Sequence, residues 1–170
     1  MYNAAVFLIL PICLVLAALT DFLEMKIPNG IPALLAASFA LIIPFSGLEL
    51  VEIGWHLAAA LMVFAICFAF FAFNVMGGGD AKILTASALW FGFNTSLFEF
   101  LMFTCYLGGL LTVAVILLRA NWDKLETVGM RLPQTLMVAK KVPYAIAIGA
   151  AGLLTYPDSP LVQAAIRSTH

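Results

Sequence analysis

Leu61-Met62-Val63-Phe64-Ala65-Ile66-Cys67-Phe68-Ala69-Phe70-Phe71-Ala72-Phe73-Asn74-Val75-Met76 carries no charge, and it runs straight into Gly77-Gly78-Gly79-Asp80-Ala81-Lys82. The uncharged stretch extends back to residue 53. That is enough to cross a bilayer, which takes about 20 apolar residues, or roughly 17 at the short end. Backbone groups in hydrocarbon must be bonded within the segment, so such a run predicts a helix. A membrane barrel would instead alternate over strands of about ten residues. Working outward, further apolar runs occupy residues 4–20, 31–48, 97–118 and 142–156. A short run follows Lys82 and ends at Gly92-Phe93-Asn94-Thr95-Ser96, a turn-forming break. The expected fold is all-α, a polytopic membrane protein of about six transmembrane helices.

Composition agrees. The chain has 170 residues, 64% hydrophobic and 10% charged, where a soluble domain is about 45–50% apolar and about 25% charged. Net charge is −1, so no polybasic surface invites nucleic acid. Cys13, Cys67 and Cys105 stand singly in apolar runs, without metal spacing, and are expected to be inert thiols. No Lys or Arg precedes the first run, so it lacks the basic start of a cleaved signal and is read as a retained span. Connections after the odd-numbered spans hold Lys26, Lys82, Arg119, Lys124, Arg131, Lys140 and Lys141, while the opposite side holds Arg167. Positive loops stay in the cytoplasm, which places both termini outside. The expected organisation is one transmembrane domain, residues 1–156, with a cytoplasmic loop at about 120–141. Trp122, Leu125 and Val128 make that loop either a short amphipathic surface helix or a mobile connection. Residues 157–170 are expected to be a loose external tail.

Asp21 ends the first run and Asp80 follows the third. Two crossings lie between them, so they emerge on one membrane face, the cytoplasmic one. An acid at a span end is commonly a cap or a solvated charge. Asp80 precedes a helix and suits that role, but Asp21 follows one, where a negative charge opposes the macrodipole. Gly77, Gly78 and Gly79 remove every side chain beside Asp80, permitting positive φ and close approach of another backbone. A hinge is the plainer reading of the same glycines. Ile27-Pro28-Asn29-Gly30 reads as a turn that fixes Asp21 in place. Two adjacent carboxylates share one proton, leaving one charged to draw a proton from water and one protonated to donate to a carbonyl oxygen. That is peptide hydrolysis by general acid and base, with no metal or other cofactor. Lys82 is expected to mark the membrane interface or to favour a charged Asp80. Glu24 is read as a solvated loop charge, His56 as an interfacial residue near the outer end of its span, and Asn74 as facing the site or merely packed.

These segments resemble the type IV prepilin peptidases, membrane aspartic proteases with a Gly-x-Gly-Asp motif. The matching residues are Asp21 with Ile27-Pro28-Asn29, then Gly77-Gly78-Gly79-Asp80-Ala81-Lys82, and also Pro143-Tyr144-Ala145-Ile146-Ala147-Ile148. The resemblance implies cleavage of the basic leader from type IV or Flp-type prepilin and pseudopilin precursors at the cytoplasmic face of a bacterial or archaeal membrane. Asp21 and Asp80 would be catalytic, and the glycines, Lys82 and Ile27-Pro28-Asn29 would shape the site. Larger members carry an N-terminal domain with paired cysteines and N-methylate the product. The chain starts at its first span, so it looks like the small Flp/Tad-type peptidase, and methyl transfer is not expected. Its partners would be the precursor and the lipid bilayer, with homo-oligomers allowed. The competing readings are a proton-coupled carrier and a non-catalytic membrane protein of pilus or secretion assembly.

Overall fold

The computed structural model describes residues 2–121 and 142–167. The expected amphipathic segment around Trp122, Leu125 and Val128 lies outside them. Seven α-helices make up the described fold: α1 (Tyr2–Glu24), α2 (Gly30–Ile42), α3 (Leu50–Ala72), α4 (Gly78–Phe91), α5 (Thr95–Ala120), α6 (Tyr144–Thr155) and α7 (Pro160–Arg167). No strand occurs among the described residues. α1, α3 and α5 are long and apolar enough to cross a membrane. The other three expected spans are helices of 13, 14 and 12 residues in α2, α4 and α6. One 3-10 turn, Ile43–Phe45, prolongs α2. Length therefore establishes three spanning helices, half of the number expected.

The short helices form the centre. α4 packs along α3 and against α2, while α6 lies between α1 and α5. Small residues make the second arrangement possible. A Cβ at Gly149 would stand 3.2 Å from the Leu14 carbonyl oxygen, and one at Gly152 would collide with the Leu14 side chain. With no hydrophobic force between helices in lipid, such close van der Waals approach is what holds them. The outer helices turn Leu8, Leu16, Phe68, Phe70 and Val113 outward. An apolar exterior of that kind requires lipid as its solvent.

Local signals explain the boundaries. α3 starts in a capping box, with the Glu49 N–H donating to the Glu52 carboxylate at 2.9 Å. It ends in a Schellman motif: Asn74 has φ +58, the Asn74 N–H donates to Phe71 O (3.0 Å) and the Val75 N–H to Phe70 O (2.9 Å). The break expected at residues 92–96 is present. Gly92 closes α4 at φ +70, and Asn94 caps α5 by accepting from the Ser96 N–H at 2.8 Å.

His56 departs from expectation. It is buried rather than interfacial, with Nδ1 donating to Leu89 O at 2.6 Å and the ring against Phe39. A Cβ at Gly92 would lie 2.8 Å from its Cε1. Gly92→Ala combines that clash with positive φ and should destabilise the fold by about 1–3 kcal/mol, read as a lower midpoint of thermal unfolding in detergent.

The segment after Pro157 is also not loose. Residues 160–167 form α7, whose Leu161, Val162 and Ala165 are buried and which packs on α1. The Tyr156 hydroxyl just before it donates to Val6 O at 2.7 Å, pinning this end to α1. Tyr156→Phe should cost about 1 kcal/mol, because Val6 O then loses a buried donor. The same detergent melt reports it.

Candidate active site

α1 does not stop at residue 20; it continues to Glu24 and carries Asp21 in its last turn. Glu24 is thus a helix-end residue, exposed. The helix closes at Met25, which has φ +52 and donates its N–H to Asp21 O at 2.9 Å. Asp21 is buried, 8% exposed. Its position would set a negative charge against the α1 dipole, but a second helix end answers it. The Ala145 N–H, in the first turn of α6, donates to Asp21 Oδ2 at 3.0 Å. The positive end of α6 thus faces the carboxylate that the end of α1 disfavours.

Gly77 is the N-cap of α4, and Gly78, Gly79 and Asp80 form its first turn. The glycines are therefore a helix start rather than a hinge, and none has positive φ. Close approach accounts for each. A Cβ on Gly77 would lie 2.8 Å from Asp80 Oδ2, one on Gly78 would lie 3.2 Å from the Phe71 ring, and one on Gly79 would lie 3.2 Å from Ile27 Cβ. The last contact seats the Ile27-Pro28-Asn29 turn directly on α4. Pro28 O accepts from the Ile31 N–H at 3.1 Å, closing that turn into α2.

Asp21 and Asp80 line one cavity of about 280 Å³, with Met25, Lys26, Ile27, Asn29, the three glycines and Val142 completing its wall. Asp21 thus faces the N-terminus of α6, and Asp80 stands in the first turn of α4. Lys82 stands outside this cavity and donates from Nζ to Asn29 Oδ1 at 2.8 Å. It braces the turn. Asn74 lines a neighbouring cavity that Asp80 and Tyr144 also reach. Tyr144 is held in turn by a 2.9 Å hydrogen bond between its hydroxyl and that of Thr112, and its ring lies 3.1 Å from where a Cβ on Gly108 would stand. Met25, Val142 and the Ala145 N–H were not singled out by sequence reasoning. Only Ala145 had a signal, through the 143–148 patch.

The described residues thus set two carboxylates on one glycine-walled cavity of an apolar helical protein. The family comparison is specific: the type IV leader peptidase family matches residues 8–113, more than half of the chain and including both aspartates. The chain belongs to the type IV leader peptidase family, a family of aspartic peptidases that act on pilin-type precursors. No curated protein and no solved structure matches it.

Proposed function

We propose that this chain is a prepilin leader peptidase that hydrolyses the leader of type IV or Flp-type precursors at the cytoplasmic membrane face, with Asp21 and Asp80 as the acid–base pair. One observation carries the reading: both carboxylates line the same small cavity, although 59 positions separate them in the chain. Water bound between them loses a proton to the charged carboxylate as it attacks the scissile carbonyl carbon. The protonated partner donates to the carbonyl oxygen, forming a gem-diol; as the C–N bond breaks, the first carboxyl passes the proton collected from water to the departing amine and the partner takes back a proton from the gem-diol hydroxyl. Gly77, Gly78 and Gly79 leave room for an extended peptide over Asp80, and Lys82 with Asn29 fixes the opposite wall. In this reading α2, α4 and α6 complete a six-span bundle, the termini lie outside, and the chain is of the small Flp/Tad type.

Co-expression with a Flp-type prepilin tests it. Wild type should convert the precursor to a faster-migrating product, and Asp21→Ala and Asp80→Ala should leave it uncut. Processing by both variants would remove the acid–base pair. A carrier or an assembly scaffold predicts an uncut precursor with wild type as well.

A further inference from the structure

α6 lies between α1 and α5, and two adjacent residues tie its first turn to both. On the α1 side, the Ala145 N–H donates to Asp21 Oδ2 at 3.0 Å. A first-turn N–H has no acceptor within its own helix, so the carboxylate is what satisfies it. On the α5 side, the Tyr144 hydroxyl meets that of Thr112 at 2.9 Å. Thr112 has one hydroxyl hydrogen and gives it to Gly108 O, one turn back, at 2.7 Å. The Tyr144 hydroxyl is therefore the donor, and a chain of two hydrogen bonds runs from Tyr144 through Thr112 into the α5 backbone.

The fit along α5 is close. Gly108 is buried, and a Cβ on it would stand 3.1 Å from the Tyr144 ring. The missing side chain lets the ring approach α5 and bring its hydroxyl to Thr112, four residues on. The same residue lines two cavities, of about 190 and 410 Å³, that Asp80 also lines. Tyr144 and Ala145 thus serve both carboxylates, one as a cavity wall beside Asp80 and the other through its backbone at Asp21. A tyrosine kept only as a membrane-interface anchor would turn its hydroxyl to the headgroups. This one turns it to Thr112.

We infer that Tyr144 and Thr112 are positioning residues for the aspartate pair. The inference rests on the peptidase reading and adds to it the part that sets Asp21 relative to Asp80. Asp21 stands in the last turn of α1 and Asp80 in the first turn of α4, so neither helix alone fixes the gap between them. The start of α6 does: Tyr144 locks it sideways against α5, and the Ala145 N–H then holds the Asp21 carboxylate at a set place in the cavity wall. Without the lock, the first turn of α6 shifts and the carboxylate shifts with it. A reacting group misplaced by about 1 Å can lose about 10²-fold in rate. Tyr144 gives its one hydroxyl hydrogen to Thr112, so it acts through α6 and not on the substrate.

Thr112→Val removes the acceptor with little change of shape, Tyr144→Phe removes the donor, and Thr112→Ser keeps the hydroxyl. Each is purified into liposomes and followed by two readouts, prepilin cleavage and hydrogen exchange at the Ala145 amide. Thr112→Val and Tyr144→Phe should each lower kcat about tenfold with KM held within about twofold, and should speed exchange at Ala145 about tenfold. The double variant should be no slower than either single one, because all three lose the same bond. Thr112→Ser should keep wild-type values. Unchanged kcat in both single variants would overturn the inference, as would a kcat loss with Ala145 exchange unaltered or one that Thr112→Ser shares. Faster exchange throughout the bundle would mark a general structural defect and overturn it as well. Wild type leaving the precursor uncut would instead sink the peptidase reading; an Ala145 exchange rate that still depends on Thr112 would then reduce the contact to helix packing.

Discussion

Asp80→Asn is expected to yield a folded protein that cuts its precursor about 10²–10⁴-fold more slowly than wild type, the usual worth of a positioned acid or base. Asn keeps the size of Asp and leaves α4 its polar first-turn residue, so the loss lies in proton transfer rather than in the fold. Asp21→Asn makes the same point from the other wall. Its amide oxygen still accepts from the Ala145 N–H, which now spans 3.0 Å to a carboxylate oxygen. The junction of α1 and α6 therefore survives while the exchangeable proton is gone. Single-turnover cleavage of a prepilin, with the detergent melt as a check on folding, separates the two effects. A melt lowered along with activity in both variants would mark the aspartates as structural.

Gly77→Ala is the second large effect, and it comes from one methyl group. Gly77 has φ −71 and ψ 141, a conformation that any residue adopts. Backbone strain is therefore not the issue. The new Cβ would lie 2.8 Å from Asp80 Oδ2, and the carboxylate has to swing away. A flexible side-chain end moves at little cost to stability, but a reacting group displaced by about 1 Å can lose about 10²-fold in rate. The expected signature is an unfolding midpoint close to that of wild type together with a fall of about that size in kcat. Unchanged kcat would show that the Asp80 position seen here is not the working one.

The same contact explains which parts of the site the sequence disclosed. Asp21, Asp80 and Ile27-Pro28-Asn29 stood out because polar and turn residues are conspicuous in a chain that is 64% hydrophobic. Parity of the spans could bring the acids to one face, and they do line one cavity. The hydrogen bond to Asp21 was not legible, because it comes from the backbone of Ala145, and a backbone N–H has no residue signature. Nor was the positive φ of Met25, a residue type that gives no warning of it. The positive φ of Asn74 was legible, since Asn favours the position that closes a helix.

His56 and the segment after Pro157 differ from expectation for one reason, tertiary burial of groups that look superficial along the chain. His56 is a lone polar residue near the end of a span, a pattern that suits an interface, but the Leu89 carbonyl gives it a buried partner. Residues 157–167 contain Pro157, Ser159 and Pro160, all turn formers. The 8-residue α7 that follows is too short to announce itself by periodicity and owes its existence to burying Leu161 and Ala165. The spans of α2, α4 and α6 were read from continuous apolarity, which does not report where a helix stops. α2 stops at Ile42, where the 3-10 turn Ile43–Phe45 replaces the end of the run expected to reach residue 48.

The central claim is that Asp21 and Asp80 act as one unit. Cleavage rates of wild type, Asp21→Asn, Asp80→Asn and the double variant, each purified into liposomes with a Flp-type prepilin, test it most directly. Groups that share a single proton-transfer step are strongly non-additive. The double variant should be no slower than the slower single variant. Losses that multiply, or wild-type cleavage in either single variant, would contradict the claim.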